Sequence, residues 1–306
     1  MAINWPANAR KSFGSDILQA SHTLDQSPLF CDAALAALLD AYPRDQLGIW
    51  TFGEHGEGEE APVRGRAPDL SGEELMQAVR RGRIWLNLRA VNAKVSDYGP
   101  TADAIFGSLE QASGQKVFKR DMGVLISSPG VNVHYHLDIP LVSLFQIRGE
   151  KTMWVYPATV DFAPDERLES IVLREQEEGL TFRQAFETSA RRIDMKPGMA
   201  VTWPQTAPHR VQNGDMLNVS LSCEFMTLPG LIRANALYAN GKLRRQFGAH
   251  PKRPNGLTPA TLGKAALARL MKQAEKRRIA NGPTPATFEL DLSAANCVRP
   301  LSGVEA

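Results

Sequence analysis

At 306 residues, with 43% hydrophobic residues and a formal net charge of +2, the chain has the size of one large domain or one domain with appendages. So even a charge balance excludes a strong electrostatic programme for nucleic acid. No run of about 18 apolar residues occurs, so no membrane-spanning helix is expected.

Residues 1–30 read as irregular, and Cys31 to Ala41, CDAALAALLDA, reads as a helix from its Ala and Leu content. Leu47 to Phe52 reads as a strand. Gly53 to Asp69, rich in Gly, Glu and Pro, reads as an exposed loop. Ser71-Gly72-Glu73-Glu74 has the form of a capping box that opens a helix through Arg80. Ile84 to Leu88 follows as a strand, Thr101 to Ser113 as a helix and Gly123 to Ser128 as a strand.

After Pro129-Gly130 the pattern sharpens. In VNVHYHLD, the residues Val131, Val133, Tyr135 and Leu137 alternate with Asn132, His134, His136 and Asp138. Strand side chains alternate faces, so this predicts one apolar face and one polar, ligand-rich face. His136 and Asp138, two residues apart, would then grip one metal ion from one strand. The plainer reading is a strand with a wet outer face. Against it, the chain has only six histidines and two of them fall here.

Leu141 to Tyr156 reads as strand, RGEK turn and strand. Residues 161–192 are charged and helical in pattern, an insertion that is either a solvated decoration or a lid over a barrel mouth. Asp194 to Met199 carries a Pro-Gly turn, Ala200 to Trp203 reads as a short strand, and Pro204 to Pro208 as a loop that delivers His209. A turn at Asn213-Gly214-Asp215 leads to a last strand, Leu217 to Phe225. Two histidines and one carboxylate on one side of a metal leave the other side open, which is the ligand set of non-haem Fe(II) oxygenases.

Beyond Phe225, Leu231 to Tyr238 and Leu262 to Ile279 read as helices. The second carries a stripe of Leu262, Ala266, Leu270 and Ala274, a candidate homodimer interface or a face packed on the chain's own barrel. Lys276-Arg277-Arg278 reads as a solvated helix end, and Pro283 to Ala306 as an extended tail. The expected organisation is an α/β buttress over 1–118, a barrel core over 119–228 with the 161–192 insertion, and a helical region and tail over 229–306. Cys31, Cys223 and Cys297 show no CxxC spacing and read as reduced thiols. The opening MAINWPANARKSFG lacks the apolar core of a secretory signal, so a cytoplasmic location is expected. No P-loop, no GxGxxG before a helix and no GxSxG occurs to support nucleotide-dependent or serine-hydrolase chemistry.

From Gly123 to Phe225, the HxD pair, the Pro-Gly turn, the Pro-rich loop and the H-x-V at His209 resemble the JmjC-like cupins. These are a branch of the 2-oxoglutarate-dependent oxygenases that includes asparaginyl and ribosomal-protein hydroxylases. The resemblance implies a mostly β fold with flanking helices, a cupin or double-stranded β-helix (jelly-roll) barrel. It implies Fe(II) held by His136, Asp138 and His209, with 2-oxoglutarate as co-substrate.

Relatives place a basic residue about fifteen positions after the HxD histidine to bind the distal carboxylate, and Lys151 stands there, with Arg148 as a fallback. The chain departs from the pattern at Val133, where relatives carry a Thr, and at Val142, where they carry an Asn. The missing polar partner would then be Ser127, Asn218, Ser220 or Ser222. His134, Asn132, Trp203 and Gln205 are expected to line the substrate pocket. Two other readings stand beside the oxygenase. One is a cupin that binds a small ligand or carbohydrate without turnover and without metal. The other is a cupin enzyme that uses its metal without 2-oxoglutarate. The substrate, whether protein, peptide, lipid or small molecule, is not written in these residues.

Overall fold

Two sheets lie face to face across an apolar seam, in a computed structural model that describes residues 2–51, 63–67, 69–274 and 285–301. The chain begins with β1 (Ile3–Asn4), α1 (Ala9–Ser12), β2 (Leu18–His22) and α2 (Asp32–Ala41). Next come β3 (Gly48–Thr51), β4 (Val63–Arg66), α3 (Gly72–Arg81), β5 (Ile84–Leu88), α4 (Val91–Lys94) and α5 (Gly99–Ser113). The barrel then runs through β6 (Phe118–Ser127), β7 (Asn132–His136), β8 (Leu141–Arg148) and β9 (Lys151–Val155). After the insertion helix α6 (Asp165–Val172) it continues as β10 (Arg191–Met195), β11 (Met199–Thr202), β12 (His209–Asn213) and β13 (Asn218–Met226). The chain ends with α7 (Leu228–Phe247), α8 (Pro259–Ala274), β14 (Phe288–Leu290) and β15 (Val298–Pro300).

The smaller sheet has the order β10-β9-β12-β7, and the larger one contains β11-β8-β13-β6. Strands from β6 to β13 thus divide between two antiparallel sheets in the manner of a double-stranded β-helix, so the fold is a jelly-roll cupin. The seam between the sheets is filled by Val142, Leu144, Met153, Val155, Ile193 and Val201, with other apolar residues. The outer face of the larger sheet is covered by α2, α3 and α5 through a second core that includes Leu35, Leu75, Phe106, Phe145 and Phe225.

Local signals explain several elements. Ser71 Oγ accepts from the Glu74 amide at 3.3 Å while the Glu74 carboxylate accepts from the Ser71 amide at 2.7 Å, so the capping box closes and starts α3. Helix α7 is longer than its sequence suggests. Thr227 caps its start, Pro229 fits its first turn, and Gly248, at φ +62°, ends it in the left-handed region.

Three expectations fail for a common reason, which is pairing with distant partners. The first 30 residues hold β1 and β2, and β2 extends the larger sheet beside β11. Val63–Arg66, within the stretch read as a loop, is a strand paired with β3; residues 52–62 and 68 lie outside the described residues. The tail is not merely extended. β14 runs parallel to β4, and Phe288 lies over Gly65, where an added Cβ would come within 2.2 Å of the Phe288 ring. Lys276-Arg277-Arg278 lies outside the described residues.

Helix α8 buries Thr261 and Ala268, so of the two readings of its stripe the packing on the chain's own barrel is not observed. Ala268 packs on Tyr238 and Ala239 of α7, where small residues let the helices approach. Leu262 and Leu270 consequently face outward, at 45% and 64% exposure. Among the described residues, no helix is long and apolar enough to cross a membrane.

Candidate metal centre

β7 and β12 are neighbours, and their register sets His136 directly opposite His209. The two imidazole centroids are 4.2 Å apart. Asp138, two residues past His136, brings its Oδ2 to 3.4 Å from His209 Nε2. One ligand atom from each of His136, Asp138 and His209 lies within 4.8 Å of the others.

Both rings are oriented by backbone. His136 Nδ1 is 2.7 Å from the His134 carbonyl and His209 Nδ1 is 3.2 Å from the Ala207 carbonyl. A carbonyl only accepts, so each Nδ1 carries the proton and each Nε2 presents a lone pair to the centre. Burial holds the His209 pKa well below its ordinary value, with a further push from the His136 charge, so this ligand is neutral at physiological pH. Burial also pushes the Asp138 carboxyl up, opposed by the His136 and Arg89 charges. A bound cation would reverse that push.

The strand that carries the first two ligands is not regular. His209 pairs with His136 and Val211 with Val133, so one residue of β12 faces two of β7. This β-bulge at His134-Tyr135 breaks the alternation read from the sequence. Val133 now shares the inward side with His136 and packs into the seam. Tyr135 turns outward to the insertion, its hydroxyl donating to the Phe162 carbonyl at 2.9 Å. Asn132 pairs with the exposed Gln212 on the outer side. Neither Asn132 nor His134 therefore stands with His136 on the inward face, contrary to their expected place in the pocket.

Trp203 packs against the centre. The Trp203 ring lies 4.7 Å from the His209 ring and is 4% exposed. Gln205 Nε2 donates to the Ile139 carbonyl at 2.8 Å and the Gly230 carbonyl at 3.2 Å, fastening the loop before His209 to the segment after Asp138.

The insertion reaches the same place. The Leu137 amide donates to the Glu178 carbonyl at 3.2 Å, the Leu180 amide to the Tyr135 carbonyl at 2.9 Å, and Gly179 bridges His136. Arg167 Nε ties down the Gly179 carbonyl at 3.0 Å. Rings of Tyr135, Tyr156, Phe162, Phe182 and Phe186 anchor the rest of the insertion, with centroids as close as 4.9 Å. Phe162, Phe182 and Phe186 lie within a segment that its charge marked as weakly apolar.

Lys151 starts β9 on the same inward face as Met153 and Val155 and is 7% exposed. It has no hydrogen-bond or ion-pair partner among the described residues, and burial pushes its ammonium down to about 7. Arg148 is not its substitute, because its Nη1 is held by Asp32 at 2.6 Å. Ser127, Asn218 and Ser220 are all buried near this end of the barrel.

Two site residues were not anticipated. Glu224, on β13, holds Arg89 Nη2 at 2.5 Å near Asp138, and its carboxyl is pushed up to about 7 by burial against the opposing Arg89 charge. Its place in the alternation of Ser220 and Ser222 was a usable signal. Asn213 faces inward opposite Lys151, yet read as a turn residue.

No family model matches the chain, and no curated protein matches it by sequence. Solved structures do match. The X-ray structure of E. coli ycfD is 17% identical, with a TM-score of 0.51, covering 90% of this chain and 70% of that chain. A structure of YcfD, described as a ribosomal oxygenase from Escherichia coli in complex with cobalt and 2-oxoglutarate, is 16% identical, with a TM-score of 0.49 over 90% and 69% of the two chains. At such identity the first likeness shows the shared fold.

Proposed function

We propose that the chain is an Fe(II)- and 2-oxoglutarate-dependent oxygenase. The observation that carries this is the pairing of a two-histidine, one-carboxylate centre with a buried lysine that has no partner among the described residues, on the same inward surface. Asn213, which lies opposite Lys151, stands four positions along β12 from His209, and a strand covers roughly 13 Å in that interval. The four-carbon stem of Lys151 shortens the gap. In this reading a small dicarboxylate spans the interval, one end at the metal and the other at the ammonium.

His136, Asp138 and His209 would hold the iron. Bound there with the keto acid, iron supplies the chemistry that couples decarboxylation to succinate with hydroxylation of a C–H bond. The chain's own groups do the rest. The Nδ1 anchors fix both imidazoles, so ligation costs no ring reorientation. Trp203 and the seam residues exclude water on one side of the centre. Lys151 neutralises a carboxylate where an unpaired one could not be buried.

The site does not name the substrate. The likeness to YcfD puts ribosomal protein first among substrates to assay, and the free thiols suit a cytoplasmic setting. The outward stripe Leu262, Ala266 and Leu270 is read as a contact between two copies. Metal analysis of the purified protein together with succinate formation from 2-oxoglutarate tests the proposal. One iron per chain and succinate release are expected. Iron without 2-oxoglutarate binding points instead to a cupin enzyme of another kind. Neither iron nor co-substrate points to a ligand-binding cupin.

A further inference from the structure

We infer that Lys119, Arg174 and Lys272 form a docking point for an acidic side chain of a polypeptide substrate, beside the mouth of the barrel. The inference rests on the oxygenase reading above and deepens it, by giving the chain a grip on its substrate away from the metal.

Four parts of the chain bring the three cations together. Leu173 and Met271, the residues before Arg174 and Lys272, pack in one cluster with Tyr238 and Ala239 of α7. Lys272 Nζ donates to Asn235 Oδ1 at 2.9 Å and lies 4.3 Å from the Tyr238 ring centroid, so the amide and the ring fix its ammonium. Lys119 comes from β6. Glu224 pairs with Asp121 and Met226 with Phe118, so Lys119 and Arg120 together face Phe225 alone. At this bulge Arg120 turns to Glu110, at 3.1 Å, and Lys119 is left exposed. Burial pushes the Lys272 ammonium below its ordinary value, and the Lys119 and Arg174 charges push it further. No carboxylate among the described residues opposes them.

Two of the three cations sit on backbone that a long side chain does not favour. Lys119 has φ +53° and Arg174 φ +59°, the left-handed region that glycine adopts freely. Neither side chain has a hydrogen bond or ion pair among the described residues. The chain's own packing thus gives these two charges no role, whereas an anion from outside does.

The place favours a polypeptide over a nucleic acid. Lys119 stands two positions, about 7 Å of strand, from Asp121. Arg174 stands four positions before Glu178, whose carbonyl holds the Leu137 amide between the ligands His136 and Asp138. The charges of Glu178, Glu224 and Asp138 act on one another across the mouth. A continuous polyanion laid from the cations to the metal would meet these like charges. A polypeptide can set one acidic residue on the cations and carry none where it passes the mouth. The net charge of +2 gives a polyanion no further attraction.

The test is fluorescence anisotropy with the full, iron-loaded chain under nitrogen, using fluorescein-labelled hexaglutamate and hexauridylate as probes. Hexaglutamate should bind, and its binding should weaken as salt rises. Lys119→Gly, Arg174→Gly and Lys272→Gln should each weaken it about threefold, the scale of one exposed ion pair, and the triple variant over about tenfold. The two glycine variants separate docking from a structural role, because they relieve the left-handed backbone. Their thermal midpoint should hold or rise while the affinity falls. Unchanged affinity in the triple variant, no hexaglutamate binding to wild type, or tighter binding of hexauridylate would overturn the inference. The last result would mark the cluster as a nucleic-acid contact. The oxygenase reading fails separately, if wild type binds hexaglutamate yet forms no succinate from 2-oxoglutarate.

Discussion

Burial disfavours the charge of the Asp138 carboxyl against the pull of His136 and Arg89, and a cation at the centre would favour keeping it ionised. Asp138→Ala should therefore abolish stoichiometric iron binding, and undiminished iron in that variant, read by metal analysis, would remove the three-residue site. Lys151 makes a second argument. Its ammonium is pushed down to about 7 by burial, against an ordinary value of 10.5. Between pH 7 and 10.5 the unfolded chain carries this proton and the folded chain does not. The lysine's penalty to folding is thus full below about pH 7 and fades as the pH rises toward 10.5. Ligand binding has the opposite sense, because the anion needs the charged form. Affinity for 2-oxoglutarate should be highest below pH 7 and weaken by up to about tenfold per unit above it. Lys151→Met should remove that pH dependence and most of the affinity. It should also stabilise the ligand-free protein by about 1–3 kcal/mol, since a buried polar group without a partner is replaced by an apolar one. A thermal midpoint lowered in the variant would show that Lys151 has a structural partner instead.

At the scale of elements, β7 is the edge of the smaller sheet, and the insertion supplies its cover through Glu178, Gly179 and Leu180. Residues 174–179 are exposed, whereas the following stretch is anchored by the Phe182 and Phe186 rings. Trypsin should cut first at Arg174, and a ligand filling the mouth should slow that cut. First cleavage at Arg183 or Arg191 would show that the anchored part is the looser one. The ligand strand was legible because His136 and Asp138 sit two residues apart in an alternating run, and His209 because of the turn and Pro-rich loop before it. The bulge at His134-Tyr135 was not legible. It exists only in the count of residues between two pairings, His136 with His209 and Val133 with Val211, made with a strand some seventy positions away. That one extra residue moved Asn132 and His134 off the inward face and brought Val133 onto it. The outward position of the α8 stripe was not legible for a similar reason. Its burial was decided by Ala239 on α7, not by the larger residues of its own sequence.

Across the whole molecule, one sheet of eleven strands joins the barrel to both ends of the chain. Its order from the barrel outward is β6, β5, β3, β4, β14 and β15, so the tail stands four pairings away from the last barrel strand. The strands of the barrel were readable from local alternation, while β14 could not be read, because a parallel pairing across more than two hundred residues leaves no local trace. The distance makes a prediction about independence. Gly65→Val would drive its side chain into the Phe288 ring, and overpacking of this kind costs about 1–3 kcal/mol. Truncation before Pro285 would remove β14 and β15 and bare the edge of β4. Both changes should lower the thermal midpoint. Iron content and succinate formation per folded chain should be unaffected, because His136, Asp138 and His209 are positioned by β7 and β12 of the other sheet. The opposite result, a stable fold that loses iron, would mean that the buttress sets the barrel's geometry through Arg89. This residue follows β5 and reaches across to Glu224 and Asp121 at the mouth. Arg89→Met then separates the two accounts, since it cuts that one link and leaves the outer strands in place.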